Sequence, residues 1–314
     1  MNTKYENYIR RKWDALELYE DLKWRGLINQ ISSEKLIKKL NEESLTFYIG
    51  TDPTADSLHL GHYSSFLITK RLAMHGHKPI MLIGGATALV GDPRGSTERD
   101  LADKNRVFQS FNKLKEQLKK LFPYEIVNNY DWTKDLKMED FLIEYGKLIT
   151  TSYMTNKELV KKQLTSGISF AEFSYMLLQG MDFYHLLKEK NVTLQVAGSD
   201  QWGNITTGIE IVRKKTGKEV YGLTMPLITD ENGKKFGKSE GNAIWLNPDK
   251  TSPQELYNFL YNVSDCIVIS LLKKLTFLSK EEIELIEKEH KPNSHYAQNI
   301  LGKQIVYDIH NIKI

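Results

Sequence analysis

The chain has 314 residues, 40% of them hydrophobic and 26% charged, which is enough for one large core with a smaller satellite domain and excludes a disordered or fibrous protein. Its formal net charge of +3, from 43 basic against 40 acidic side chains, supplies no global field for nucleic acid, so any such attraction must come from local patches. Cys266 is the only cysteine, which excludes an internal disulfide framework and a multi-thiolate zinc site and suits a reducing, intracellular setting.

The first stretch, MNTKYENYIRRKWDALELYEDL, mixes acidic and basic residues and has no apolar run like that of a secretory signal, and nothing later approaches 18 consecutive apolar residues. The chain therefore reads as cytoplasmic and soluble, with no membrane partner; a mature organellar protein would read the same way. From Leu45 short apolar runs alternate with longer amphipathic stretches. TFYIG leads into a helix from His59, PIMLIGG into a charged helix through QSFNKLKEQLKKLF, EIVNNY into further helices, and TLQVAGSD into WGNITTGIEIVRKK, with GLTMPLI last. Strand–helix alternation of this kind predicts an α/β fold with a doubly wound parallel sheet. After Pro248 the spacing becomes helical throughout, with Ser252-Pro253 and Ser279 followed by Glu282 as helix starts. The expected organisation is a catalytic domain over 1–230, a mobile loop and linker over 231–250, and a helical domain over 251–314 whose last helix, begun near Ser294, runs on through the terminal HNIKI.

Two stretches carry chemistry. In YIGTDPTADSLHLGH, residues 48 to 62, a strand runs into a turn and then a helix start, which puts His59 and His62 on one helical face beside unpaired backbone N–H groups. Phosphate is held well at such a place, and Gly61 lets a flat ring approach the backbone. The same residues also read as a plain surface histidine pair; the zinc reading is weaker, because the stretch is not HExxH and has no thiols beside it. In DENGKKFGKSEGN, residues 230 to 242, Lys234, Lys235 and Lys238 alternate with Gly233, Gly237 and Gly241. Point charges on a glycine-rich loop suit a polyphosphate, although a solvated turn reads alike. Asn232 stands where a P-loop needs glycine.

HLGH early and KFGKS late, separated by a βα sheet, resemble the paired signature of class I aminoacyl-tRNA synthetases. Between them, GGATALVGDPRGSTER at 84 to 99, FSYMLLQGMDF at 173 to 183 and LQVAGSDQWGNITTG at 194 to 208 are similar to the signature blocks of the bacterial-type tyrosyl enzyme. The resemblance covers nearly the whole chain. It implies a Rossmann-like catalytic domain followed by a helical domain, and a reaction in which tyrosine and ATP, carried with Mg2+, give tyrosyl-adenylate before transfer to the 3′ end of tRNA. No protein-bound metal is implied. Tyr48 and Asp182 would meet the substrate phenol; Tyr175, Gln179 and Asp92 its ammonium; Gln201 its carboxylate. Asp200 would hold the ATP ribose, with Gly50, Asp52, Gly61 and Gly198 near the nucleotide. Thr54, His59, His62, Lys235 and Lys238 would stabilise the reacting phosphates, and Arg99 would grip the leaving pyrophosphate.

The GDPRGSTER block lacks a lysine that many members of this family carry, a gap that Arg94 would have to fill. Trp202, Arg213, Lys214 and Lys215 share one predicted helix and form a candidate tRNA patch, though basic helix ends also serve simply to compensate the helix dipole. The resemblance further implies a homodimer and an RNA-binding extension beyond the helical domain, so the chain is expected to be C-terminally truncated. A tryptophanyl enzyme and a non-catalytic RNA-binding paralogue are the alternatives; Tyr48 and the Tyr175, Gln179, Asp182 set argue against the first, and the two intact signatures against the second.

Overall fold

The computed structural model describes residues 17–93, 103–164, 167–239 and 242–314. These form two compact units that alternate along the chain. One holds the described residues up to Ile28 with Ser57–His75 and Pro226–Ile314, and the other holds Asn29–Asp56 and Gly76–Met225. The helix carrying HLGH therefore groups with the C-terminal helices. A single cut near residue 230 cannot express that division.

The second unit is built on a six-stranded sheet of β1 (Gln30–Ile31), β2 (Thr46–Thr51), β3 (Lys78–Ile83), β4 (Glu125–Asn128), β5 (Val192–Gly198) and β6 (Tyr221–Met225), in the order β1-β6-β5-β2-β3-β4. β2 to β6 are parallel to their neighbours and β1 is an antiparallel edge on β6. The α/β doubly wound sheet expected from the alternating pattern is what forms. Strands covered on both faces need apolar residues nearly throughout, which is why β5 and β6 are almost continuously buried. The winding runs outward from β2 through β3 to β4, then returns to β5 and on to β6. The order reverses between β2 and β5, where sheets of this type open a crevice at the carboxyl ends of their strands. Gly50 and Gly198 end those two strands.

The other unit is mainly helical. Ser252 and Glu255 cap helix Pro253–Tyr261 reciprocally with Pro253 in the first turn, and Ser279 and Glu282 do the same for helix Lys280–Glu289. Two buried guanidiniums close the C-terminal end of helix Asp265–Leu275: Arg25 donates to the carbonyls of Lys273 (3.1 Å) and Leu278 (2.9 Å), and Arg71 donates to that of Thr276. The last helix, Tyr296–His310, does not run through the terminal residues as its amphipathic pattern suggested. It closes at Asn311, which takes the left-handed conformation (φ 56) and donates its N–H to the Tyr307 carbonyl, and asparagine tolerates that backbone better than most residues.

Candidate active site

At the switch point of the sheet unit, Tyr48 on β2 is 1% exposed and packs edge-on against Phe183, with ring centroids 5.5 Å apart. Its hydroxyl is buried with no hydrogen-bond partner among the described residues. An orphaned buried hydroxyl is unfavourable, and a polar ligand atom would relieve it. Asp182, 2% exposed on helix Phe170–Lys190, accepts from Asn129 Nδ2 at 3.0 Å and from Trp132 Nε1 at 2.9 Å. Burial pushes its carboxyl up to about 7, although both donors favour the charged form. The Tyr48 phenol is itself pushed up, first by burial and then by the charge of Asp182.

From Asp182 a chain of hydrogen bonds crosses the unit. Asn129 Nδ2 also donates to Thr87 Oγ1 (3.0 Å), Thr87 donates to Asp52 Oδ1 (2.7 Å), and the Tyr175 hydroxyl donates to Asp52 Oδ2 (3.0 Å). Gly84 makes room for this, because a Cβ there would overlap both Asp52 Oδ1 and Thr87 Oγ1. Asp92 accepts from Gln201 Nε2 (2.7 Å) and Asn204 Nδ2 (3.0 Å). Burial raises the Tyr175 phenol well above its ordinary value, and the charges of Asp52, Asp92 and Asp182 all add to the shift. Three carboxylates around one phenol make a field that favours a cation. Gln179 lies one turn after Tyr175 and is half-buried, while Thr54 and Asp200 are exposed at the ends of their turns. Asp52, expected beside a nucleotide, is tied to Tyr175, and Gln201 is tied to Asp92.

In the helical unit HLGH and KFGKS are in contact. His59 caps helix Leu60–Met74 with an imidazole instead of a hydroxyl: its Nδ1 accepts from His62 N (3.3 Å), and His62 Nδ1 accepts from His59 N (3.2 Å). The rings stack with centroids 3.8 Å apart. Because each Nδ1 is an acceptor, the proton of each neutral ring sits on Nε2, which becomes a donor. Burial, with the His59 ring as a second cause, lowers His62 to about 3 and keeps it neutral. Backbone N–H groups that the helix start offered to phosphate are partly used, since Leu60 N donates to Ile244 O at 2.8 Å and His62 N to His59. Gly61 has a steric reason of its own: a Cβ there would stand 2.9 Å from His59 Cε1.

The KFGKS stretch is pinned where it is described. Phe236 N donates to Ile228 O (2.9 Å), Ile244 N donates to Gly237 O (2.8 Å), Lys238 and Ser239 pair antiparallel with Ala243 and Asn242, and the Phe236 ring packs on Phe259. The mobile loop expected there is held by these bonds, and Lys235 stands exposed on it.

A family model described as "tRNA synthetases class I (W and Y)" matches residues 40–314. The chain is 70% identical over 299 residues to a protein named tyrosine--tRNA ligase 2 from Streptococcus thermophilus, covering 95% of this chain and 99% of that one. The chain belongs to the class I tyrosyl-tRNA synthetases. It is also 49% identical to the tyrosine--tRNA ligase of Streptococcus uberis, covering 94% of this chain and 73% of that one. A solved structure titled as a C-terminally truncated mitochondrial tyrosyl-tRNA synthetase from Coccidioides posadasii superposes with a TM-score of 0.81 at 31% identity, covering 98% of this chain and 91% of that one.

Some residues singled out in this tyrosyl-tRNA synthetase stand differently from the sequence reading. Arg94 and Arg99 lie outside the described residues, as does the Lys238 side chain. The basic patch after Trp202 is largely paired: Arg213 and Lys214 bond Glu210 (2.7 and 3.2 Å), and Lys215 bonds Glu144 (3.1 Å). Asn129, Trp132 and Thr87 were not singled out from the sequence. NNYDW has no periodic or charge signal, and only the position of Asp182 53 residues away gives Asn129 its meaning. Among the described residues no cluster of histidine, cysteine or carboxylates is placed to hold a metal, and no helix is long and apolar enough to cross a membrane.

Proposed function

We propose that this chain activates L-tyrosine with ATP, giving tyrosyl-adenylate and pyrophosphate, and then passes the tyrosyl group to the 3′ end of tRNA(Tyr) for translation in the cytoplasm. The observation that carries the choice of amino acid is the orphaned Tyr48 hydroxyl close enough to Asp182 to feel its charge. A phenol donates to the carboxylate and accepts from Tyr48, relieving both; an indole N–H donates only and would leave Tyr48 unpaired. The carboxylates about Tyr175, with Asp92 and Gln179, suit the ammonium, and Gln201 the carboxylate of the substrate.

That carboxylate is already a nucleophile, so no general base is needed. It attacks the α-phosphorus, and charge moves onto the departing pyrophosphate, so catalysis rests on positioning and on donors aimed at the charge that develops. Neutral His59 and His62 donate from Nε2, Lys235 and Lys238 contribute point charges, and Thr54 adds a hydroxyl. Arg99, with Arg94 in place of the missing lysine, is assigned to pyrophosphate. Gly50, Gly61 and Gly198 leave room for the nucleotide and Asp200 binds its ribose; magnesium arrives with ATP. For tRNA, Trp202 remains the exposed aromatic of its helix end, and Arg213 and Lys214 must exchange Glu210 for phosphate. A homodimer has support in Phe170, 71% exposed, with Met138 and Ile143 also exposed in the same unit. Pyrophosphate exchange with tyrosine, tryptophan and phenylalanine tests the assignment: exchange only with tyrosine is expected, and exchange driven by tryptophan would remove it.

A further inference from the structure

We propose that Trp245 is a positioning residue that holds the His59 imidazole for ATP. The inference rests on the ATP reading of HLGH above and names a side chain which that reading leaves without a role. His59 and Trp245 face each other across an antiparallel bridge, flanked by two backbone bonds of 2.8 Å, Leu60 N to Ile244 O and Leu246 N to Leu58 O. This short ladder keeps His59 extended at φ −121 and ψ 171, the backbone a helix N-cap requires. The indole lies edge-on to the His59 ring, with centroids 6.1 Å apart at 64°, while His62 stacks against His59 at 3.8 Å. His59 is thus held between two aromatic neighbours.

Trp245 is fixed in its turn. Its N–H donates to the buried Thr251 Oγ1 at 3.0 Å, and Lys250 Nζ lies 5.0 Å from the centre of its ring. Its neighbour Ile244 bonds both signatures, donating to Gly237 O and accepting from Leu60 N. Removing the indole takes one wall from the His59 ring. The ring is then able to rotate away from the His62 N–H, and Nδ1 is no longer fixed as the acceptor that puts the proton on Nε2.

The test combines kinetics with a readout independent of activity, on the whole chain. In Trp245→Ala the KM for ATP in pyrophosphate exchange should rise about tenfold while that for tyrosine stays within about twofold, and Trp245→Phe, which keeps an aromatic edge, should restore most of the loss. Imidazole nitrogen NMR of the free protein should show Nε2–H tautomers with Nδ1 accepting at His59 and His62, and Trp245→Ala should lose that signature. Equal rises in both KM values, or an unchanged tautomer in Trp245→Ala, would overturn the proposal. If Trp245→Ala does not fold, Trp245→Leu carries the same two measurements. Wild-type chain with the tautomer signature but no tyrosine-dependent exchange would instead sink the activation chemistry proposed above.

Discussion

Gly237 of KFGKS lies against Gly61 of HLGH so closely that a Cβ on Gly237 would stand 3.1 Å from the Gly61 nitrogen. Its φ of +85 is a second reason for glycine there. The two signatures, about 175 residues apart in the chain, thus meet backbone to backbone. Gly237→Ala is expected to cost on the order of 1 to 3 kcal/mol in stability and to raise the KM for ATP, read by thermal melting and pyrophosphate exchange. An unperturbed melt would show that the hairpin yields easily.

Gly61→Ala attacks the same contact from the other side. The new Cβ would push the His59 ring off its cap, so about 1 kcal/mol of stability should be lost along with ATP affinity. Thermal melts and exchange at varied ATP report both, and loss of ATP affinity without loss of stability would mean that the cap contributes nothing to the fold.

Tyr48→Phe should act with opposite signs on the free and the bound protein. Deleting an unpaired buried hydroxyl leaves the free protein as stable as before or more so, whereas tyrosine loses a donor, about 0.5 to 1.5 kcal/mol of binding. Asp182→Ala removes a charged acceptor and strands the Asn129 and Trp132 donors, so its kcat/KM for tyrosine should fall by on the order of 3 kcal/mol and discrimination against phenylalanine should erode. Denaturant melts and exchange with both amino acids check this. Unchanged selectivity in Asp182→Ala would show that the phenol is read elsewhere.

The carboxyl of Asp182, at about 7, also predicts a pH dependence. Its folded value is raised above the ordinary 3.8, so the stability it contributes is present below that value and is lost as pH rises through 7. Tyrosine needs the ionised form to receive its phenol proton, so affinity should weaken by roughly tenfold per pH unit below 7. Calorimetric titration from acid to mildly alkaline pH, beside Asp182→Asn, tests it; the wild-type profile should slope and the variant's should be flat.

Lys235 is exposed, which fits a charge felt only when the leaving pyrophosphate forms. Lys235→Ala should lower the rate of adenylate formation about 10²-fold with tyrosine affinity nearly unchanged. Single-turnover kinetics separate the two, and parallel losses would count against a transition-state role.

The sequence by itself determined what is written in neighbouring residues. Strands buried on both faces must be apolar runs, so TFYIG, PIMLI and LQVAG announced a parallel sheet, and the capping residues Ser252 with Glu255 and Ser279 with Glu282 lie within one helical turn of each other. HLGH, KFGKS and the blocks between them were legible as motifs. Tertiary structure decided everything that joins distant residues. Asn129 became the bridge between Asp182 and Thr87 only because β4 ends beside helix Phe170–Lys190. Tyr175, 123 residues from Asp52, found its acceptor in the same way. Spacing did place His59 and His62 on one helix face, but that each ring caps the other's N–H, and so fixes its own proton, depends on side-chain rotation and on the strand Ile244–Leu246 that keeps His59 extended. Helical and strand periods record which side of an element is buried; they carry no record of which distant polar group completes a hydrogen bond there, because that choice is made only when the elements pack.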